Sequence, residues 1–176
     1  LRWKPVDAVQ ILASANQDRA APTGANITDP LISTPNMSVF DYANVHLRAR
    51  GQSDGYEVRV VSQRQGPVRS DTLMSLEATH TLAGLEAAGM GCTVVVVGSR
   101  HIEQVLGGSA ELVAWLGRVA PRVQRLIALC SGSFFLAEAG LLDGRRAATH
   151  GSVTAQLAQR HPRVQVDADA IYLREE

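Results

Sequence analysis

Cys130 stands between an apolar run, Leu126-Ile127-Ala128-Leu129, and three small residues, Ser131-Gly132-Ser133. A strand that carries a thiol to its carboxyl end and then reverses into a helix leaves that thiol at a helix N-terminus. There the helix dipole and the unpaired N–H groups favour thiolate, the nucleophilic form. The same strand, turn and helix display serine nucleophiles in hydrolases. The competing reading is structural, because a free cysteine most often behaves as a small buried apolar residue. Spacing alone leaves both readings open for Cys130. Cys92 heads the β-branched run Thr93-Val94-Val95-Val96-Val97 and is read as core.

Other chemistry finds less support. The five histidines show no ligand spacing with the cysteines or acids, so no metal site and no cofactor are expected. Gly107-Gly108-Ser109 is a helix entry and not a phosphate loop. Arg145-Arg146 reads as a solvated turn, and His101, two residues after Ser99, as a loop histidine.

The elements that must position Cys130 emerge from periodicity. Val6 to Leu12, Tyr56 to Ser62, Cys92 to Val97 and Val123 to Leu129 read as strands. Cys92 to Val97 is apolar on both faces, as a central parallel strand is. Helices are expected over Ser38 to Arg50, Thr81 to Ala88, Ala110 to Ala120, Ser133 to Ala139 and Ser152 to His161. Val39, Tyr42, Ala43 and Leu47 would share a face of the first, and Ser109 would cap the third. Gly66-Pro67 reads as a turn and Leu73 to Leu76 as a short extended piece. Ala147 to Thr149, Val164 to Val166 and Ala170 to Leu173 read as short β segments, and residues 13–36 as a long irregular loop. Alternating strands and helices argue for an α/β three-layer sandwich around a mostly parallel sheet.

The chain's 176 residues fit one domain, 1–176. A formal net charge of +0 gives no field that favours nucleic acid or a membrane. Two cysteines make no disulfide framework, and no apolar run approaches the roughly 20 residues that span a bilayer. A reducing cytoplasm is the expected compartment.

From Leu129 to His150 the sequence reads LCSGSFFLAEAGLLDGRRAATH. It resembles the ThiJ/PfpI superfamily, above all the N-terminal domains of AraC-family transcriptional regulators, with their Cys-Thr/Ser-Gly elbow and "LAEAGLLDGRRATTHW". His161 to Tyr172 is similar to their "FPRVRVDPDALY", and Gly66 to Ser70 to their "GGPVRSSSG". The resemblance implies a flavodoxin-like, class I glutamine-amidotransferase-like fold, a homodimer, and a pocket beside Cys130 for a small-molecule ligand that contains nitrogen. It implies DNA binding only through a C-terminal helix-turn-helix. None is recognisable within these residues, and relatives continue past the Tyr172 segment, so the domain reads as C-terminally truncated.

The resemblance also assigns roles. Val97-Gly98-Ser99 stands at the loop that offers an oxyanion N–H in relatives, so Gly98, Ser99, Ser131 and Gly132 would line the ligand site, and His150 would stand near it. Relatives that catalyse hold an acid near the thiol. Here Ser38 occupies the Glu position of "GPxEVF", and Asp29 and Asp41 do not match the motif. The expected function is therefore a ligand-sensing, dimerising domain of an AraC-type regulator without turnover. The alternative is a hydratase or amidase with Cys130 as nucleophile, and a third reading is a redox sensor.

Overall fold

The computed structural model describes residues 9–12, 30–53, 55–69, 75–88 and 90–174. Among the described residues five parallel strands form the main sheet: β1 (Val9–Leu12), β2 (Val58–Ser62), β5 (His80–Thr81), β6 (Thr93–Val96) and β7 (Arg125–Ala128). Their spatial order is β5-β2-β1-β6-β7. From β1 the chain builds outward through β2 and β5, then returns to add β6 and β7 on the other side. Such a reversal opens a crevice at the strands' carboxyl ends, where α/β sheets hold ligands.

Side chains of β6 alternate between two cores. Val94 and Val96 join Trp115, Leu116, Phe134, Phe135 and Leu157 in the larger one. Val95 and Val97 form the smaller, against Phe40, Tyr56, Val58 and Leu129. Phe40 belongs to α1 (Pro30–Ala49), which covers this face. The larger core lies under α2 (Leu82–Ala88), α3 (Ile102–Gly107), α4 (Ala110–Val119), α5 (Ser133–Glu138) and α6 (Thr154–Arg160). These are the three layers expected.

Several expectations need correction. The expected loop gives way at Pro30, where α1 begins. Proline suits the first helical position, where its missing N–H has no intrahelical partner to lose. Residues 13–29, like Val6 to Ala8, lie outside the described residues. The shared face of α1 is split in its burial: Ala43 and Leu47 are half-buried, but Val39 and Tyr42 are 63% and 73% exposed. Asn44 sets the rotation. Its side chain is buried, donates to Tyr56 O at 2.7 Å, and accepts from Gly55 N–H and Tyr56 N–H at 3.0 Å each. Gly66-Pro67 is no turn but the start of β3 (Gly66–Arg69), antiparallel to β4 (Ser75–Ala78).

Ser109 does not cap α4, because its hydroxyl donates back to Val105 O at 2.7 Å and closes α3, a helix the periodicity missed. Among the described residues β7 is the sheet's margin and not a fully buried strand, with Ile127 38% exposed. β8 (Arg146–Ala147) pairs with β9 (Gln165–Val166). Residues 170–173 are irregular, and Ile171 is 99% exposed.

Candidate functional site

β6 and β7 bring two loops side by side. Leu129 extends the ladder, its N–H donating to Val96 O at 2.9 Å with φ −109° and ψ 131°. Cys130 then takes φ +57°, the one non-glycine residue with positive φ among those described. A bulky residue in this region carries roughly 1–2 kcal/mol of strain and persists only where its surroundings fix it. A tight turn over Cys130–Gly132, closed by Gly132 N–H to Leu129 O at 2.9 Å, leads into α5.

Two glycines make that turn possible. A Cβ on Gly132 would fall on the carbonyl oxygen of Val96 and within 3.2 Å of Val97 C. A Cβ on Gly98 would fall on Ser131 Oγ and within 2.8 Å of Gly132 N. The loop after β6 and the turn after β7 thus touch backbone to backbone. Ser131 completes the clasp: its hydroxyl accepts from Ser99 N–H at 2.9 Å and donates to Ser99 O at 2.8 Å. Both serines are buried. The structure therefore brings Gly98, Ser99, Ser131 and Gly132 together beside Cys130, but the Ser99 N–H is already engaged by Ser131.

Sequence reading missed the partners of the Cys130 carbonyl. Thr149 Oγ1 donates to it at 3.2 Å, and Ser133 Oγ, which donates to Thr149 Oγ1 at 2.8 Å, lies 3.4 Å from it. The only signal was a hydroxyl residue just before His150 and another in the first turn after the elbow.

His150 is exposed and turned elsewhere. Its Nδ1 accepts from Ser152 N–H at 3.3 Å and lies 2.7 Å from Ser152 Oγ, so it caps the turn Gly151–Val153 ahead of α6. Ser152, expected to cap that helix, is itself the capped residue. His101 is exposed, with its N–H donating to Ser99 Oγ at 3.0 Å. Asp41 is on the exposed side of α1, and Ser38 is half-buried. Cys130 is half-buried, whereas Cys92 is buried and its thiol pKa is pushed up by desolvation. Among the described residues no three His, Cys, Asp or Glu side chains gather as a metal site.

The strained, thiol-bearing turn lies inside a stretch that matches a known family: the profile of the DJ-1/PfpI family covers residues 36–171. The chain belongs to the DJ-1/PfpI family. A Streptomyces lividans protein known as the uncharacterized protein in the cpoL 5′ region is 37% identical over 125 residues, 68% of this chain and 82% of that protein. The HTH-type transcriptional regulator CdhR of Pseudomonas aeruginosa is 30% identical over 136 residues. That stretch is 75% of this chain but 39% of CdhR, so the chain spans about two-fifths of that regulator. An AraC-family transcriptional regulator from Pseudomonas putida superposes with TM-score 0.70 at 25% identity, over 96% of this chain and 80% of that one. Drosophila melanogaster DJ-1beta gives TM-score 0.71 at 15% identity, over 96% and 77%, a likeness of fold. The DJ-1/PfpI assignment carries with it the flavodoxin-like, class I glutamine-amidotransferase-like fold. Among the described residues no helix is long and apolar enough to cross a membrane.

Proposed function

We propose that this chain is the ligand-sensing and dimerising domain of an AraC-type transcriptional regulator and acts in the cytoplasm. Its ligand is a small nitrogen-containing molecule, and it acts on DNA only through a separate helix-turn-helix domain. The likeness to CdhR and to the Pseudomonas putida regulator carries this reading. His150 is bonded to Ser152. The site residues are Cys130, Gly98, Ser99, Ser131 and Gly132, with His150 at its margin.

A second reading, a cysteine-dependent hydratase or amidase, is favoured by one observation: the positive φ of Cys130, a strain of the kind that clusters at reactive sites. Thermal-shift titration with amines, amides and isocyanides, run beside an assay for their consumption, separates the two. A saturable rise in melting temperature without consumption supports sensing. Consumption that is lost in Cys130→Ala overturns it in favour of the enzyme.

A further inference from the structure

α1 turns an apolar ridge away from the sheet it covers. Its inner side is set by Phe40, which packs against Val95 and Val97, by the half-buried Ala43 and Leu47, and by the three hydrogen bonds of Asn44. Val39, Tyr42 and Val45 follow one another at three-residue spacing and are 63%, 73% and 48% exposed. Half of the large apolar side chains exposed among the described residues lie in this short stretch of helix. Single exposed apolar residues need no explanation, but a contiguous row of them marks a contact surface.

The charges beside the ridge indicate what fits it. A helix advances about 100° per residue, so a line drawn outward, opposite Phe40 and Leu47, has Tyr42 and Val45 about 30° to either side. Asp41 and His46, both exposed, stand about 70° to either side of the same line. Both pairs are centred at one height, between Ala43 and Asn44. A two-fold axis along that line therefore sets a second α1 antiparallel to the first. It brings Tyr42 against the partner's Val45 and Asp41 against the partner's His46, and symmetry repeats both contacts. Arg48 comes beside the partner's Val39, which its aliphatic stem can cover. Such self-complementarity is what an isologous contact requires, because one patch serves both copies. A foreign partner imposes no symmetry about the midpoint of a helix.

We propose that the outward ridge of α1 is a self-association surface whose occupant is a second copy of this chain, with Tyr42 at its centre and Asp41 facing His46 of the partner subunit. This rests on the dimerising role and locates it. A single helix pair covers less than the about 800 Å² per partner of a standard interface, so the dissociation constant is on the order of 10 μM. A pair of that strength assembles where a second tie, such as two half-sites on DNA, raises the local concentration.

The test is sedimentation velocity of the 176-residue chain from about 1 to about 100 μM, a range that brackets that constant. Wild type is expected to pass from monomer to dimer. Tyr42→Asp sets a charge against the partner's Val45 and is expected to weaken association at least tenfold. His46→Asp opposes like charges at both symmetric positions and is expected to weaken it about tenfold. Adding Asp41→Lys to His46→Asp restores opposite charges across the axis and is expected to recover most of that loss. All three positions are exposed, and circular dichroism checks that each variant is folded. A wild-type chain that stays monomeric throughout overturns the proposal and leaves the ridge to another occupant. A dimer indifferent to either Tyr42→Asp or His46→Asp also overturns it, while dimerisation stands at another surface. A charge swap that recovers nothing overturns the two-fold register and the proposal with it. Ligand sensing is scored separately by thermal shift, so it stands or falls independently of α1.

Discussion

Replacing Gly132 with alanine adds one methyl group where the elbow meets the backbone of β6. That methyl would land on the Val96 carbonyl oxygen, 3.1 Å from Val96 C and 3.2 Å from Val97 C. A clash with a flexible side-chain end is relieved by rotation, but these atoms are backbone. Val96 is the last residue of β6, and its carbonyl already accepts the Leu129 N–H. Moving it away would strain both that bond and the strands that flank β6. Overpacking a core costs about 1–3 kcal/mol, and a contact confined by backbone on both sides belongs at the upper end. A loss of about 3 kcal/mol corresponds to a fall of about 6–12 °C in Tm for a chain of this size. The control is Gly117→Ala in the exposed face of α4, where the new Cβ lies 4.0 Å from Ala139 O, an ordinary contact. There alanine removes glycine's entropic cost and should stabilise by about 0.5–1 kcal/mol. Urea unfolding of both variants, with m-values compared, gives the two free energies. A Gly132→Ala protein within about 1 kcal/mol of wild type would refute the close approach of β6 and the elbow, because no rotamer change can accommodate that methyl.

Alkylation under native conditions should label Cys130 and leave Cys92 unmodified, since Cys92 is buried and burial raises its thiol pKa; mass spectrometry of the digest reads the ratio, and equal labelling contradicts the packing of β6. Asn44→Ala leaves the Gly55 and Tyr56 N–H groups without their acceptor, and chemical denaturation should register a loss of about 1–3 kcal/mol for the unpaired buried groups. His161 is held below its ordinary pKa, chiefly by burial and against the pull of Glu138, so the unfolded chain binds its proton more readily than the folded one. Stability should therefore fall as pH drops below about 6.5, the usual value for histidine. His161→Gln should flatten that part of a Tm-against-pH curve, and an unaltered slope would remove His161 as its cause.

The elbow was legible because its chemistry is local. An apolar strand, a cysteine, three small residues and a helix come one after another, and each step needs its residue type. The alternation of strands and helices was legible for the same reason. The features that escaped depend on partners distant in sequence. Pro67 lacks an N–H and looks like a turn residue, yet opposite Glu77 in a two-stranded ribbon it is tolerated, as proline is at sheet edges. Ser109 has the right type and place for a cap, but the carbonyl of Val105 competes for its hydroxyl. Ile171 and Tyr172 have strand-forming side chains but no neighbouring strand to pair with among the described residues. Thr149 carries no mark of its role until the fold sets it on the Cys130 carbonyl.

Asn44 acts as a key in a slot, fixing the roll of α1 about its axis. Turning the helix to hide Val39, Tyr42 and Val45 would break the three hydrogen bonds of Asn44 at about 1 kcal/mol each. The greasy stripe is therefore held outward by a polar residue. The fold cannot retract this patch, and polar replacements at Tyr42 should raise the concentration at which the chain stays dispersed without touching its interior.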